Sequence, residues 1–473
     1  MVRFAARVTH LTRAAVVAGA LALLAPPCDA AVRSAKPPPA TADVSALDLI
    51  ELQISYTTIL ARYYEPIRAR TLVAGARSGI AAELAARGLR DVRLPYVPAQ
   101  VDFGRGGDLV DTMVVGSIAR YGSRIDGHRL VAAAVGGELA ALHDPYSVMF
   151  RPQQFKRFTS FLGNATFGGI GAALTYDAAR GRAPIDRVIA GGPAALAGVR
   201  AGDVLTAIDG RALATRDAAS LGAALRGTIG TTVRVTVERD GTLQTFALVR
   251  AAVRDPEVRA RLFGTVGYLA LARFGDRAGA ELGAALAEQR ARGALAFVLD
   301  LRGNGGGYGD EATAVAALFL DGPVFATRER GGAPRIALAH RKLPFAERLA
   351  VLVDADSASA SEIVAGAVQD DGIGPIVGQR TFGKGLVQSV FPLPDGSAFK
   401  LTTARYTTPK GRDIDRVGIV PDVAVNEPAG AVRGDPATDP QLAAALAAVA
   451  SAPATASAAP APTAPAPTPS ALP

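Results

Sequence analysis

The sequence predicts a multidomain α+β protein: an N-terminal helical lobe, a β-rich domain, an α/β core and an unstructured C-terminal tail. Three observations carry that prediction. Residues 45–150 show helical periodicity, residues 165–252 switch to short β-rich runs broken by Gly and Asp turns, and residues 253–427 alternate strands with helices, the pattern of a layered α/β core. With 473 residues, 49% of them apolar, the chain can bury more than one core, which excludes a fibrous or wholly disordered protein.

Residues 1–31 read as a secretory signal peptide. Arg3, Arg7 and Arg13 precede an apolar run from Ala14 to Ala25, and Pro26-Pro27-Cys28-Asp29-Ala30 supplies small residues for cleavage after Ala30 or Ala31. The run is short for a membrane span, so a retained anchor is the weaker alternative, and lipidation at Cys28 weaker still because Pro27 fits a small-residue lipid site poorly. The expected location is the periplasm, with membrane association only if the signal is retained or lipidated. Cys28 is the sole cysteine, so a chain cleaved after it has neither a disulfide nor a thiol nucleophile.

A Pro-rich linker, 32–44, leads into the helical lobe, where an internal echo recurs at an offset of 58: Leu60-Ala-Arg62-Tyr63 matches Ile118-Ala-Arg120-Tyr121, and Leu72-Val73-Ala74 matches Leu130-Val131-Ala132. The repeat predicts two similar helical hairpins, packed on each other or on a second subunit, so a homodimer through this lobe is one expectation. In the β-rich domain, Asp240-Gly241 between two alternating runs predicts a hairpin. In the core, strands are expected at Ala296 to Asp300, Leu349 to Val353 and Leu386 to Phe391. From 428 to 473 the Ala-Pro-Thr composition predicts a disordered tail.

The formal charge of +8 is dispersed, with no basic run interleaved with aromatics, so nucleic acid is not an expected partner. Only four histidines exist, none beside a Gly-x-Ser-x-Gly elbow or in metal-ligand spacing. Neither a Ser-His-Asp triad nor a metal site is expected.

The chemistry concentrates in two stretches, Ser357-Ala-Ser359-Ala-Ser361-Glu362 and Thr381-Phe-Gly383-Lys384-Gly-Leu-Val-Gln388. Ser359 follows a strand and heads an apolar helix, where Ala360 N–H is a natural oxyanion donor. The same residues fit a capping box, in which Ser359 only closes the helix. Lys384, between glycines at the mouth of an apolar strand, tips the reading toward catalysis: burial lowers a lysine pKa, and a neutral amine accepts the serine proton. Gln388, four residues on, is expected on the same face and in hydrogen-bonding reach of the lysine. Asp300-Leu-Arg302-Gly-Asn304-Gly-Gly-Gly307 follows a strand, and its glycines let backbone N–H groups approach a carbonyl, with Gly306 or Gly305 as the second oxyanion donor. A phosphate-binding reading of that loop lacks the Gly-Lys-Ser/Thr ending of a P-loop.

These motifs, with the turn Asp144-Pro145-Tyr-Ser147, the loop Phe167-Gly168-Gly169-Ile170-Gly171, Gly191-Gly-Pro193 and Gly202-Asp203, resemble the C-terminal processing peptidases, serine proteases with a Ser-Lys dyad, over roughly residues 110 to 425. The resemblance implies a PDZ-like β-rich domain, a crotonase-like protease core, Ser359 as nucleophile, Lys384 as base, Gln388 as its orienting partner, and Gly306 and Ala360 in the oxyanion region. It implies no cofactor. Two departures stand out: Gly305 occupies a position usually held by proline, and a histidine expected inside the Asp-Pro turn precedes it as His143. A PDZ groove captures a peptide carboxylate on backbone N–H groups, here Gly168, Gly169, Ile170 and Gly171, with Ala172 to Thr175 as the pairing edge. Unfolded or C-terminally exposed polypeptides are the expected substrates, with or without an adaptor protein. The rival readings are a catalytically inactive PDZ scaffold and, on fold likeness alone, a CoA-dependent enzyme.

Overall fold

Buried Leu52, Tyr56 and Ile59 recur at helical spacing along Ala46–Arg62, and Ser45 closes that helix through a capping box with Asp48. The computed structural model describes residues 45–451 apart from 90–91, 164–166, 178–180, 190, 214–217 and 429–430; the expected signal peptide and linker lie outside the described residues. Three further long helices, Ala69–Ala86, Phe103–Tyr121 and Gly127–Ala140, complete the lobe as two hairpins. Helices Ala69–Ala86 and Gly127–Ala140 touch backbone to backbone: a Cβ on Gly79 would lie 2.0 Å from the Ala133 carbonyl oxygen, and one on Gly75 would lie 2.4 Å from that of Gly137. Only glycine permits that approach.

The lobe packs on the protease core. Its apolar cluster includes Leu393, Phe399 and Leu401 of the core, and the strand that ends it, Val148–Phe150, pairs antiparallel with Ala398–Thr407. Buried Glu51 adds a polar tie, its Oε1 accepting from Asp395 N–H at 2.7 Å. The two hairpins thus pack on each other through Ala69–Ala86 and Gly127–Ala140, and the lobe packs on the core in addition.

The β-rich domain is a small sheet ordered Ala172–Leu174, Ala183–Val188, Val204–Ile208, Thr232–Arg239 and Thr242–Val249. Asp240 and Gly241 both take positive φ, 50° and 75°, so the predicted hairpin turns on two left-handed residues that match the strand twist. Val233, Val235 and Val237 alternate inward onto Ile185, Leu205 and Ile208.

The core sheet runs Val258–Phe263, Val266–Leu271, Ala296–Asp300, Arg348–Val353, Ile376–Gly378 and Val423–Ala424, with every pairing after the first parallel. Ala296–Asp300 is buried along its whole length, as a strand covered on both faces must be. Phe297, Leu299, Val351 and Val353 meet helices Ala278–Ala291, Gly309–Ala316 and Ala360–Asp371 on one face. Ala296, Val298, Ala350 and Leu352 meet Leu442, Ala445 and Val449 on the other.

That second layer corrects the expected tail from 428. Residues 440 to 451 form helix Pro440–Ser451, while 452–473 lie outside the described residues. Asp439 caps the helix through Leu442 N–H and accepts from Arg302 Nη1 and Nη2 at 2.9 and 2.8 Å. Arg302 is fully buried and forked onto Asp300 as well, with Tyr268 Oη donating to Asp300 Oδ2. Burial opposes the Asp439 charge, yet the Arg302 and backbone hydrogen bonds hold its carboxyl below the usual range. Asp439→Ala leaves a buried guanidinium half-paired and is expected to cost about 3–5 kcal/mol, measured as a lower urea midpoint of unfolding.

Candidate active site

Strand Arg348–Val353 ends at Asp354, whose carboxylate builds the turn that follows. Its oxygens accept from Gly303, Asp356 and Ser357 N–H and from Ser357 Oγ, and Ser357 Oγ also donates to the Leu301 carbonyl. Ser361 Oγ donates to the Asn304 carbonyl at 2.7 Å. Both serines are buried and engaged in structure.

Ser359 differs. Its backbone sits at φ 58°, ψ −114°, in a region L-residues rarely enter, whereas an ordinary N-cap serine lies in the β region. Holding a non-glycine residue there costs about 1–3 kcal/mol. Such strain at a strand-to-helix turn is the geometry that lifts a nucleophile clear of its backbone. The first arm of the capping box does form, Ser359 N–H donating to Glu362 Oε2 at 2.8 Å.

Glu362 is the residue that sequence reasoning undervalued. Fully buried, it accepts four hydrogen bonds: Thr381 Oγ1 and Gly383 N–H on Oε1 at 2.6 and 2.7 Å, Ser359 and Lys384 N–H on Oε2 at 2.8 and 2.9 Å. One carboxylate oxygen therefore receives the backbone amides of both Ser359 and Lys384. The Lys384 segment needs its flanking glycines, because a Cβ on Gly383 would lie 2.9 Å from Val417 and Gly418 nitrogens and one on Gly385 would strike Asp415.

The Lys384 pKa is lowered to about 8, first by burial and then by the like charge of Lys400, against opposing pulls from Glu362 and Asp144. Its Nζ lies 5.1 Å from the Tyr146 ring centroid. Tyr146 and Asp144 come from the turn that closes the helical lobe, where Asp144 Oδ2 accepts from Ser147 Oγ and Thr402 Oγ1, both at 2.6 Å. Lys400, itself lowered by burial, lies against Phe150 and Phe158.

Three expected roles look different in this conformation. Gln388 Nε2 donates to Thr402 Oγ1 at 3.4 Å rather than bonding to Lys384, which lies outside the strand Leu386–Pro392 that carries Gln388; the register slips beside Gln388, where the partner strand has an extra residue, Thr403. Gly306 packs against the Ser359 turn, where a Cβ would lie 2.8 Å from the Ser359 Cβ, but its N–H donates to Asn304 Oδ1 at 2.9 Å. Ala360 N–H, at the first position of its helix, has no acceptor among the described residues. Lys384 Nζ likewise rests on Tyr146 without a hydrogen bond to Ser359. Nothing lies within 4 Å of a Cβ on Gly305, so local packing does not demand glycine at that departure from the family pattern.

In the β-rich domain a cleft of about 420 Å³ lies between edge strand Ala172–Leu174 and helix Ala218–Leu225, with Gly169, Ile170 and Gly171 at its end. Ile170 and Gly171 N–H donate to no acceptor among the described residues. Gly168 does not line the cleft. Its carbonyl accepts from Gly227 N–H at 2.9 Å, and a Cβ there would lie 2.0 Å from the Gly227 oxygen, so this glycine serves a backbone crossing.

Comparison with known proteins agrees with this anatomy. A model of peptidase family S41 matches residues 265–425, and a PDZ domain model matches 185–239. The carboxyl-terminal-processing protease of Picosynechococcus sp. is 37% identical over 325 residues, covering 66% of this chain and 77% of that protein. The chain belongs to the C-terminal processing proteases. It is thus a serine protease by family, with a PDZ domain ahead of an S41 core. The carboxy-terminal-processing protease of Bartonella bacilliformis is 35% identical, over 64% of this chain and 71% of that one. Among solved structures, the photosystem II D1 C-terminal processing protease is 27% identical, with a TM-score of 0.45 over 81% of this chain and 94% of that chain.

Glu362→Gln keeps the shape of this protease's clasp but turns an acceptor oxygen into a donor. Two of the four N–H and O–H groups then face an amide NH2, at about 1–3 kcal/mol each. A lower thermal midpoint together with a fall in kcat is the expected result, read by calorimetry and by peptide hydrolysis.

Proposed function

We propose that this protein is an exported serine endopeptidase that captures substrate C-termini in its PDZ cleft and cleaves by a Ser-Lys mechanism, with Ser359 as nucleophile and Lys384 as general base. The observation that carries the reading is the Glu362 carboxylate, which binds the Ser359 and Lys384 amides through one oxygen while Ser359 is held in a strained conformation. Export rests on the sequence of residues 1–31.

The neutral Lys384 amine removes the Ser359 Oγ proton as Oγ attacks the scissile carbonyl carbon. Negative charge moves to the carbonyl oxygen, where Ala360 N–H and, once released from Asn304, Gly306 N–H donate to it. The C–N bond then breaks, and the Lys384 ammonium returns its proton to the departing amine. Water, deprotonated by the same lysine, attacks the acyl-enzyme and restores Ser359. Lys384 reaches Ser359 by rotating from the Tyr146 ring, so the conformation described is a resting one that tightens when substrate is bound. Gln388 acts at one remove, through Thr402 and Asp144, whose negative charge opposes the depression of the Lys384 pKa.

Degradation of an unfolded test protein with an apolar C-terminus is the direct test. Cleavage should be lost in Ser359→Ala, fall about 10²–10⁴-fold in Lys384→Ala, and persist in Ser361→Ala. Full activity in Ser359→Ala would reject the mechanism, and a wild-type protein that binds but never cleaves would favour a PDZ scaffold. Because only the neutral amine acts, kcat should rise with pH through about 8. Lys400→Met removes the like charge that disfavours the Lys384 ammonium, so the rising limb should move to higher pH.

A further inference from the structure

We infer that the PDZ cleft contains a subsite for an acidic side chain at the penultimate position of the substrate, formed by Arg187 in exchange for its present partner Asp255. The inference rests on the reading that this cleft holds substrate C-termini.

Strand Ala172–Leu174 is the edge of its sheet, so a peptide that enters the cleft pairs with it on the open side. The free N–H groups of Ile170 and Gly171 fix the terminal carboxylate just before Ala172. The terminal residue then lies beside Ala172 and the penultimate residue beside Ala173. On the other side of Ala173, in register with it and ahead of the bulge that follows, stands Arg187 of strand Ala183–Val188. Residues opposite one another on neighbouring strands project to the same face, so the penultimate side chain, the Ala173 methyl and Arg187 share one face. Two strand spacings separate peptide and Arg187, roughly 10 Å. A glutamate and an arginine together span that distance, and Ala173 between them is too small to obstruct.

Arg187 lines the cleft and is paired with Asp255, which also lines it; their side chains are 25% and 45% exposed. An ion pair this accessible exchanges partners at little cost. Asp255 lies just past strand Ala251–Val253, on the link into the protease core, where Arg273 donates to its carbonyl oxygen. A substrate carboxylate that takes Arg187 therefore also releases the groove from that link. Arg226, the other cation lining the cleft, follows the opposite wall, helix Ala218–Leu225, and is not in register with the penultimate residue.

Fluorescence anisotropy of labelled decapeptides on the full-length Ser359→Ala protein tests this. The peptides end in alanine and carry Glu, Ala or Lys at the penultimate position, each with a free or amidated C-terminus. The Glu peptide should bind about five-fold more tightly than the Lys peptide at low salt. Arg187→Glu should reverse that order, and Asp255→Asn should tighten the Glu peptide by freeing Arg187 of its competitor. Equal affinities for the three free-acid peptides, or an order unchanged by Arg187→Glu, would overturn the subsite while leaving the groove reading intact. Binding that ignores C-terminal amidation, or no binding by any peptide, would reject the groove reading and the subsite with it.

Discussion

A single buried carboxylate, Glu362, organises the catalytic half of this protein. Its four hydrogen bonds reach the Ser359 turn and the Lys384 segment, which are otherwise separate loops on the end of the core sheet. A buried charge is tolerated only when its acceptor capacity is filled, and here each donor that fills it belongs to a residue whose position matters. Satisfying Glu362 and placing Ser359 beside Lys384 are the same physical event. Tyr406 Oη adds a further restraint from the neighbouring sheet by donating to the Ser359 carbonyl at 3.2 Å.

Carboxylates join other parts of the fold as well. Asp354 joins the Ser359 turn to the Asp300–Gly307 loop through Gly303 N–H, and Arg302 joins that loop to the C-terminal helix through Asp439. Asp144 joins the helical lobe to the core sheet through Thr402, and places Tyr146 under the lysine. The lobe is therefore a wall of the site as well as a neighbour of it, and the electrostatics around Lys384 are assembled from three regions distant in sequence.

Much of this was legible in the sequence. The strands at Ala296 to Asp300 and Leu349 to Val353, the Asp240-Gly241 hairpin and the alignment of Ser359 with a helix start all follow from local pattern, because burial, turn chemistry and capping act within a few residues. What was missed depends on contacts distant along the chain or on one-residue irregularities. The register slip beside Gln388 comes from an extra residue, Thr403, in the partner strand, which no periodicity in the Gln388 segment reveals. Helix Pro440–Ser451 was hidden by alanine-rich composition that matches the segment after it, although Asp439-Pro440 followed by Leu442, Ala445 and Val449 is a readable helix start with one apolar face. Glu362 looked like half of a capping box because its partners at 381 to 384 become neighbours only after folding.

In the proposed Ser-Lys mechanism, folding turns Lys384 into a base usable near neutral pH. With six lysines in the chain, ¹³C-dimethylation followed by NMR titration, with Lys384→Arg used to assign the resonance, measures that directly on Ser359→Ala protein. A Lys384 resonance that titrates near pH 8 is the predicted result; one that titrates with the exposed lysines, above about pH 10, would contradict the Ser-Lys mechanism.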